Sequence, residues 1–272
     1  MWSVLQILLI IATTDAFTTS IFGKKCFRSN VNCKMNINYN TNKYVDYDTQ
    51  NSFIDNKVRH PTIIQGGDTL RTWSFKSPHV EQVQVKLTSE GRPLDSDIEI
   101  WQGPDNVPCK MRVYIENGAY RPFYAVFRTP RAPNTIAIRN IGAIEFPLIA
   151  DVKSSNVVNP SELCLSSFSP IQGGALRTYA FNPFVESSQI MLKTDGRPLN
   201  ARIELLQGPN NNKIVIELYI DDGFEKPFFC ILNTPDTGNV IRIVNTSPIE
   251  FPLIASVTPN SMNRDTMDPI MG

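Results

Sequence analysis

Two stretches of this chain carry the same sequence motifs in the same order. Residues 90–152 align without a gap, at an offset of 105, with a second stretch, and nearly half of the aligned residues are identical. A repeat unit of this length has the size of a small domain rather than that of a solenoid module. We therefore predict two tandem homologous domains, at 61–153 and 168–258, separated by a Ser- and Asn-rich linker at 154–167.

Five motifs carry most of the repeat, and each is short and contains a turn residue, a charge or an aromatic side chain. They are Ile-Gln-Gly-Gly at 64–67 and 171–174, Leu-Arg-Thr-Trp/Tyr at 70–73 and 176–179, Gly-Arg-Pro-Leu at 91–94 and 196–199, Gln-Gly-Pro at 102–104 and 207–209, and Ile-Glu-Phe-Pro-Leu-Ile-Ala at 144–150 and 249–255.

Apolar residues alternate with polar ones inside each repeat, as in Val83, Val85 and Leu87 of the first copy and Ile203 and Leu205 of the second. A period of two residues is typical of strands with one face on a core and the other toward solvent. Glycine and proline turn signals follow at close intervals. We predict an all-β fold of two antiparallel, jelly-roll-like β-sandwiches with about seven short strands each.

The charges and the cysteines exclude several classes of function. The chain has 26 basic and 26 acidic residues, so no basic surface for nucleic acid is expected. The cysteine count is odd and no pair has metal-site spacing, which favours buried or half-buried free thiols in the folded part. Only His60 and His79 could join them at a metal, and both are interpreted as solvated surface residues. The cysteines are Cys26, Cys33, Cys109, Cys164 and Cys230.

None of the usual catalytic motifs is present in the sequence, so the repeated charged and aromatic side chains are the candidate functional residues. Glu99 and Glu145 could supply the carboxylate pair of a glycosidase, but we favour structural pairing of Arg with Glu within or between domains or subunits. The change from Trp101 to Leu206 argues against a stacking platform shared by both copies. The candidates are Arg71, Arg92, Glu99, Trp101, Glu145, Arg177, Arg197, Glu204 and Glu250.

The N-terminus reads as a targeting segment. An apolar run at 4–12 is too short to span a bilayer and has the length of a signal-peptide core. The junction Ala16-Phe17 resembles that of bipartite plastid leaders in algae with secondary red plastids, which implies a signal peptide at 1–16 and a transit peptide or disordered linker at 17–57. The alternative is an ordinary secretory signal followed by a disordered linker. No later segment is apolar for long enough to span a membrane.

The C-terminal tail, 259–272, is too polar and proline-broken to extend the core. It holds four adaptable apolar side chains that could dock on a neighbouring subunit; a disordered terminus is the alternative. These predicted anchors are Met262, Met267, Ile270 and Met271.

Together, the leader, the Arg-Thr-Trp/Tyr segment, the Gly-Arg-Pro-Leu motif and the Ile-Glu-Phe-Pro-Leu-Ile-Ala motif resemble the pyrenoid shell proteins of diatoms and related algae. The resemblance implies a self-assembling protein sheet around the Rubisco-containing pyrenoid, at its periphery in the plastid stroma, which supports CO2 concentration and fixation. It implies no catalytic residues and no cofactor. The expected partners are further copies of the chain, together with Rubisco or pyrenoid linker proteins.

Two other functions compete with this one. A soluble, lectin-like tandem β-sandwich would bind a carbohydrate or a protein in the plastid. An enzyme would use a carboxylate site at Glu99 or Glu204. A binding module or an enzyme should stay monomeric or form a small closed oligomer, whereas a shell protein should assemble without a fixed end point.

Overall fold

The structure, a computed structural model, describes residues 60–131 and 133–263, all within one compact unit, Gln50–Gly272. The predicted signal peptide, the predicted transit peptide, Cys26, Cys33 and tail residues 264–272 lie outside the described residues.

Regular structure in the described part is β apart from one short helix, α1 (Glu162–Ser166). The strands are β1 (Thr62–Ile64), β2 (Thr69–Phe75), β3 (Gln82–Ser89), β4 (Leu94–Trp101), β5 (Cys109–Ile115), β6 (Phe123–Arg128), β7 (Asn134–Asn140), β8 (Leu148–Lys153), β9 (Ser169–Ile171), β10 (Leu176–Ala180), β11 (Val185–Lys193), β12 (Leu199–Gln207), β13 (Asn212–Ile220), β14 (Phe228–Asn233), β15 (Asn239–Asn245) and β16 (Leu253–Met262).

Each repeat contributes eight strands in the jelly-roll order. The first repeat forms β1-β8-β3-β6 in one layer and β2-β7-β4-β5 in the other, and the second forms β9-β16-β11-β14 and β10-β15-β12-β13. This confirms the prediction of an all-β, antiparallel, jelly-roll-like sandwich. The count is eight strands per repeat rather than about seven, because β1 and β9 have only three residues and are too short to show alternation.

The two repeats are joined edge to edge into two continuous eight-stranded sheets. β6 pairs with β14 in sheet A, and β5 pairs with β13 in sheet B, both antiparallel. Ala125 lies opposite Cys230 in sheet A, and these are equivalent positions at the repeat offset of 105. A pseudo-two-fold axis therefore passes through the junction. The division into two domains stays a prediction, since one apolar core runs through both repeats.

The core lies between the two sheets and follows the predicted alternation. Val85, Leu87, Ile203 and Leu205 are fully buried, while the side chains between them point away from the core. The free thiols of Cys109, Cys164 and Cys230 are all buried, which confirms the interpretation made from their spacing. Burial raises the pKa of all three thiols.

The linker is ordered on the outer face of sheet A, across the junction. Helix α1 begins after Ser161, whose hydroxyl accepts a hydrogen bond from the backbone N–H of Cys164 at 3.2 Å. The side chains of Gln84 and Gln189, at equivalent positions in the repeats, accept hydrogen bonds from the linker backbone at 3.2 and 2.9 Å. Cys164 packs with apolar side chains of both repeats, Val126 and Phe229.

The last strand runs past residue 258, where the sequence predicts the second domain to end. β16 continues to Met262, and its last residues pair with the start of β11, with Met262 opposite Val185. Polar composition did not prevent pairing here, because an edge of β11 was available and an outward-facing strand end tolerates polar side chains. Met262 is more than half exposed.

Candidate assembly surfaces

Among the strands of residues 60–131 and 133–263, sheet B ends in two edge strands that have no further neighbour, β2 at one side and β10 at the other. Arg71 lies on β2 and Arg177 at the equivalent position of β10, and both are exposed. Neither guanidinium makes an ion pair within the described residues. In sheet A the edge strands β1 and β9 have only three residues each, so the long free edges belong to sheet B.

Four of the predicted residues lie at or beside two equivalent loops, 141–147 between β7 and β8 and 246–252 between β15 and β16. They are Arg92, Glu145, Arg197 and Glu250. We use the term loop end for each of these loops together with the arginine beside it, Arg92 or Arg197. Arg92 stacks over the ring of Phe146, with 5.7 Å from the guanidinium carbon to the ring centre. Arg197 stacks on Phe251 at 5.0 Å and donates a hydrogen bond to the backbone oxygen of Glu250 at 2.9 Å. Each stack holds an arginine beside the loop.

Exposed side chains project from both loop ends. Ile144 is 73% exposed and Ile249 is 78% exposed. Glu145 and Glu250 follow them in the chain, are exposed, and make no ion pair among the described residues. Burial of an isoleucine side chain against another apolar surface is favourable in free energy.

Buried asparagines hold the loop ends in place. The amide of Asn140 donates to the backbone oxygens of Ile64 and Phe146 at 3.0 and 2.9 Å. Asn245 makes the equivalent bonds to Ile171 and Phe251, both at 2.9 Å. The bonds to Ile64 and Ile171 are buried and those to Phe146 and Phe251 are partly buried, so together they tie the loops to the core.

At each loop end, a glycine in the turn before β2 or β10 allows that turn to lie close to the loop. A Cβ atom at Gly66 would overlap the carbonyl oxygen of Ala143, and one at Gly173 would overlap that of Pro248. The sequence predicts only turns at glycine residues. The structure adds that Gly66 and Gly173, the first glycine of each Gly-Gly pair, leave room for the loops at the loop ends to pack against these turns.

The sequence analysis missed the asparagines. A usable signal existed, because the spacing Asn-x5-Asn occurs at 134–140 and again at 239–245. The side-chain amides of Asn134 and Asn239 also donate hydrogen bonds to backbone oxygens. Each amide reaches three oxygens of the turn just before its strand, in residues 129–131 and 234–236.

Glu99, Trp101 and Glu204 lie on the outer face of sheet B, away from the loop ends. The indole of Trp101 donates to the carboxylate of Glu99 at 2.7 Å. Glu204, only 3% exposed, forms ion pairs with Arg242 and with Arg202, the latter at 2.8 Å. The partners of Glu204 are therefore not the repeated arginines. Glu99 and Glu145 lie on different parts of the surface, and this arrangement offers no paired-carboxylate site.

A groove of about 550 Å³ crosses the junction on this same face. Asp97, Lys110, Arg112, Glu217 and Tyr219 are among the residues that line it. Burial is the main cause that raises the pKa of Asp97, while Arg112 opposes the shift. The groove is of mixed charge, and no cluster of metal-binding side chains occurs within residues 60–131 and 133–263.

The remaining predicted residues are in less informative positions. His60 and His79 are exposed, as interpreted from the sequence. Met267, Ile270 and Met271 lie outside the described residues, so their role as tail anchors stays a prediction. None of the helices in the described part is long and apolar enough to cross a membrane.

Comparison with known proteins places the chain in a family. A solved structure of oxalate decarboxylase, described by its substrate binding mode and reaction specificity switch, aligns at 8% identity with a TM-score of 0.20 over 71% of this chain and 69% of its own. That score carries no argument about fold or chemistry. No curated protein matches the chain. A family model described as diatom pyrenoid shell protein matches residues 54–259, which include both repeats. The chain belongs to the diatom pyrenoid shell protein family.

Proposed function

We propose that this protein is a non-enzymatic structural subunit that self-assembles into a sheet around the Rubisco-containing pyrenoid. The sheet lies at the pyrenoid periphery in the plastid stroma and supports CO2 concentration and fixation. Membership of the diatom pyrenoid shell protein family supports the shell role. Other copies of the chain are the main partners, and Rubisco or a pyrenoid linker protein contacts one face of the sheet.

The observation that carries self-assembly is the pair of free edges of sheet B. β2 has seven residues and β10 has five, and the two strands occupy equivalent positions at opposite sides of the sheet. The chain already joins its own halves by antiparallel pairing of β5 with β13. Pairing of β2 from one copy with β10 of the next repeats this mode between copies. Such a head-to-tail contact propagates without a fixed end unless its rotation closes a ring.

Electron microscopy of the purified full chain tests the proposal. We expect extended sheets or tubes whose growth depends on protein concentration. Discrete particles of fixed size under all ionic conditions would contradict it. In a diatom, a fluorescent fusion should mark a thin envelope around the pyrenoid, and a uniform stromal signal would argue against the proposed location.

Charge placed on the free edges tests the mode of pairing. Thr72→Lys in β2 combined with Thr178→Lys in β10 alters exposed positions at equivalent sites and brings like charges together when edges meet. We expect a loss of lateral growth with the unfolding temperature unchanged within a few degrees. Thr237→Lys, at an exposed position in the loop between β14 and β15, is the matched control and should assemble normally.

The tail adds a further contact in this proposal. Met267, Ile270 and Met271 dock on a neighbouring copy, so deletion of residues 264–272 should raise the protein concentration needed for assembly. Unchanged assembly of the truncated chain would remove the tail from the account. Met262 belongs to β16 and is left in place by this deletion.

A further inference from the structure

A protein assembly that forms a sheet must grow in two directions. Pairing of β-strands at the free edges of sheet B accounts for only one of these directions. The second direction runs along the strands, where the loop ends lie. Because β5 runs antiparallel to β13 and β6 antiparallel to β14, the pseudo-two-fold axis points the two loop ends in opposite directions. One copy thus presents a free edge at each side and a loop end at each extremity of its strands.

The repeat itself shows that the loop ends are retained for more than folding. Residues 141–143 are Ile-Gly-Ala, while the equivalent residues 246–248 are Thr-Ser-Pro, so the start of the loop has diverged completely. The next seven residues are identical in both copies. The core accounts for Leu148 and Ala150, which are buried. It does not account for Ile144 or Glu145, which are exposed.

The loop ends are also preorganised for contact. Their carbonyl groups are bonded by Asn140 and Asn245, and the backbone N–H groups of Phe146 and Phe251 close each turn on the residue three positions earlier, at 2.9 and 3.0 Å. A surface that is already ordered loses little conformational entropy when it is buried.

The charges at the loop ends favour a second copy of the chain as the partner. Each loop end carries an exposed carboxylate without an ion pair in the described part, Glu145 or Glu250, and an exposed arginine, Arg92 or Arg197. Arg197 has only a long ion pair with Asp195, at 3.7 Å between exposed groups. A surface with an exposed carboxylate and an exposed guanidinium beside an apolar side chain is complementary to a rotated copy of itself.

We propose that loop ends of neighbouring copies pack against each other, with the exposed isoleucines in contact and each glutamate paired with an arginine of the other copy. This inference rests on the proposed function and assigns its second lattice direction. Contacts along the strands and pairing across the edges together generate a two-dimensional array.

Substitution of the isoleucines separates this inference from the proposed function. Full-length protein carrying Ile144→Asp and Ile249→Asp should form narrow ribbons or filaments instead of sheets, and the concentration needed for sheets should rise by about tenfold or more. The control is Leu163→Asp on α1, which replaces another exposed apolar side chain, away from the loop ends, and should form sheets like the wild type. An unchanged circular dichroism melting curve shows that the variants fold.

The outcomes are distinct. If the isoleucine variant and the wild type form sheets of the same width at the same concentration, the loop-end contact is wrong and the proposed function stands. If the wild type itself forms only discrete particles, the proposed function fails.

Charge reversal tests the pairing of glutamate with arginine. Glu145→Arg with Glu250→Arg makes both loop ends basic, and Arg92→Glu with Arg197→Glu makes them acidic, so each variant alone should lose sheets. An equimolar mixture should restore them, since basic ends then meet acidic ends, and 1 M salt should weaken this rescue by screening the charges. Sheets from either variant alone at the wild-type concentration, or no rescue in the mixture, would overturn the pairing.

Discussion

Arg112 of β5 lies directly opposite Glu217 of β13, at the centre of sheet B. The two residues are equivalent at the repeat offset of 105, so the pseudo-two-fold axis passes between them. An exact duplication would place two like charges side by side here. Divergence of the repeats has instead placed opposite charges at the junction, where they complement each other.

Reversal of this charge should weaken the junction. Arg112→Glu replaces the ion pair with Asp95, at 3.2 Å, by repulsion from Asp95, Asp97 and Glu217. Because these groups are partly exposed, we expect a loss of about 1–2 kcal/mol in the free energy of unfolding, measured in urea at low salt. Adding Glu217→Gln should recover part of the loss. Equal stability of Arg112→Glu and wild type would show that the axis pair has no energetic role.

Removal of a buried asparagine should destabilise a loop end strongly. Asn140→Ala removes the donor from the buried carbonyl group of Ile64 and from the partly buried carbonyl group of Phe146, which should cost about 1–3 kcal/mol. Asn245→Ala should cost as much in the second repeat. Asn106→Ala, at an exposed turn position, serves as the control in the same urea titration and should change stability by less than about 0.5 kcal/mol.

Glycine substitutions should separate overlap from backbone strain. Gly66→Ala introduces a Cβ that meets the carbonyl oxygen of Ala143, so the loop must move, and we expect a loss of about 2–4 kcal/mol. Gly91 has φ +75° with open space around it, so Gly91→Ala should cost only about 1 kcal/mol. Thermal unfolding of both variants measures the difference, and a reversed order would contradict the docking role of Gly66.

The two equivalent glutamates Glu99 and Glu204 should differ in importance. Glu204→Ala leaves Arg202 and Arg242 without their buried partner, and we expect a loss of about 2–3 kcal/mol. Glu99→Ala removes one half-exposed hydrogen bond from Trp101 and should cost about 0.5–1 kcal/mol. A double-mutant cycle of Glu204→Ala with Arg242→Ala should give a clear coupling energy. Additive losses would show that the ion pair contributes nothing.

The three thiols of the folded part should resist alkylation until the protein unfolds. Burial raises the pKa of Cys109, Cys164 and Cys230, so little reactive thiolate forms at pH 8 and reagents cannot reach it. Peptide mass spectrometry after treatment with iodoacetamide should find these residues unmodified in the native chain and modified in urea. Rapid native labelling of any of them would contradict the buried placement.

Much of the fold could be read from local patterns. The alternation in β3 and β12 depends only on neighbouring residues, so it predicted these strands, their buried faces and the all-β class without knowledge of contacts. The repeat predicted that whatever one half folds into, the other half folds into as well. The same local patterns overlooked β1 and β9 and did not show that a strand crosses residue 258, because very short strands and polar strand ends do not alternate.

The order of apolar and polar residues is therefore enough to predict two similar jelly-roll-like halves with mostly buried thiols, since strand formation and burial follow from that order. Long-range contacts set the rest: the two repeats share both sheets, Arg112 lies opposite Glu217, the linker lies over Val126 and Phe229, and Glu204 pairs with Arg242. These contacts join residues far apart in the chain. Their register depends on which edges meet in three dimensions, and no local period encodes that choice.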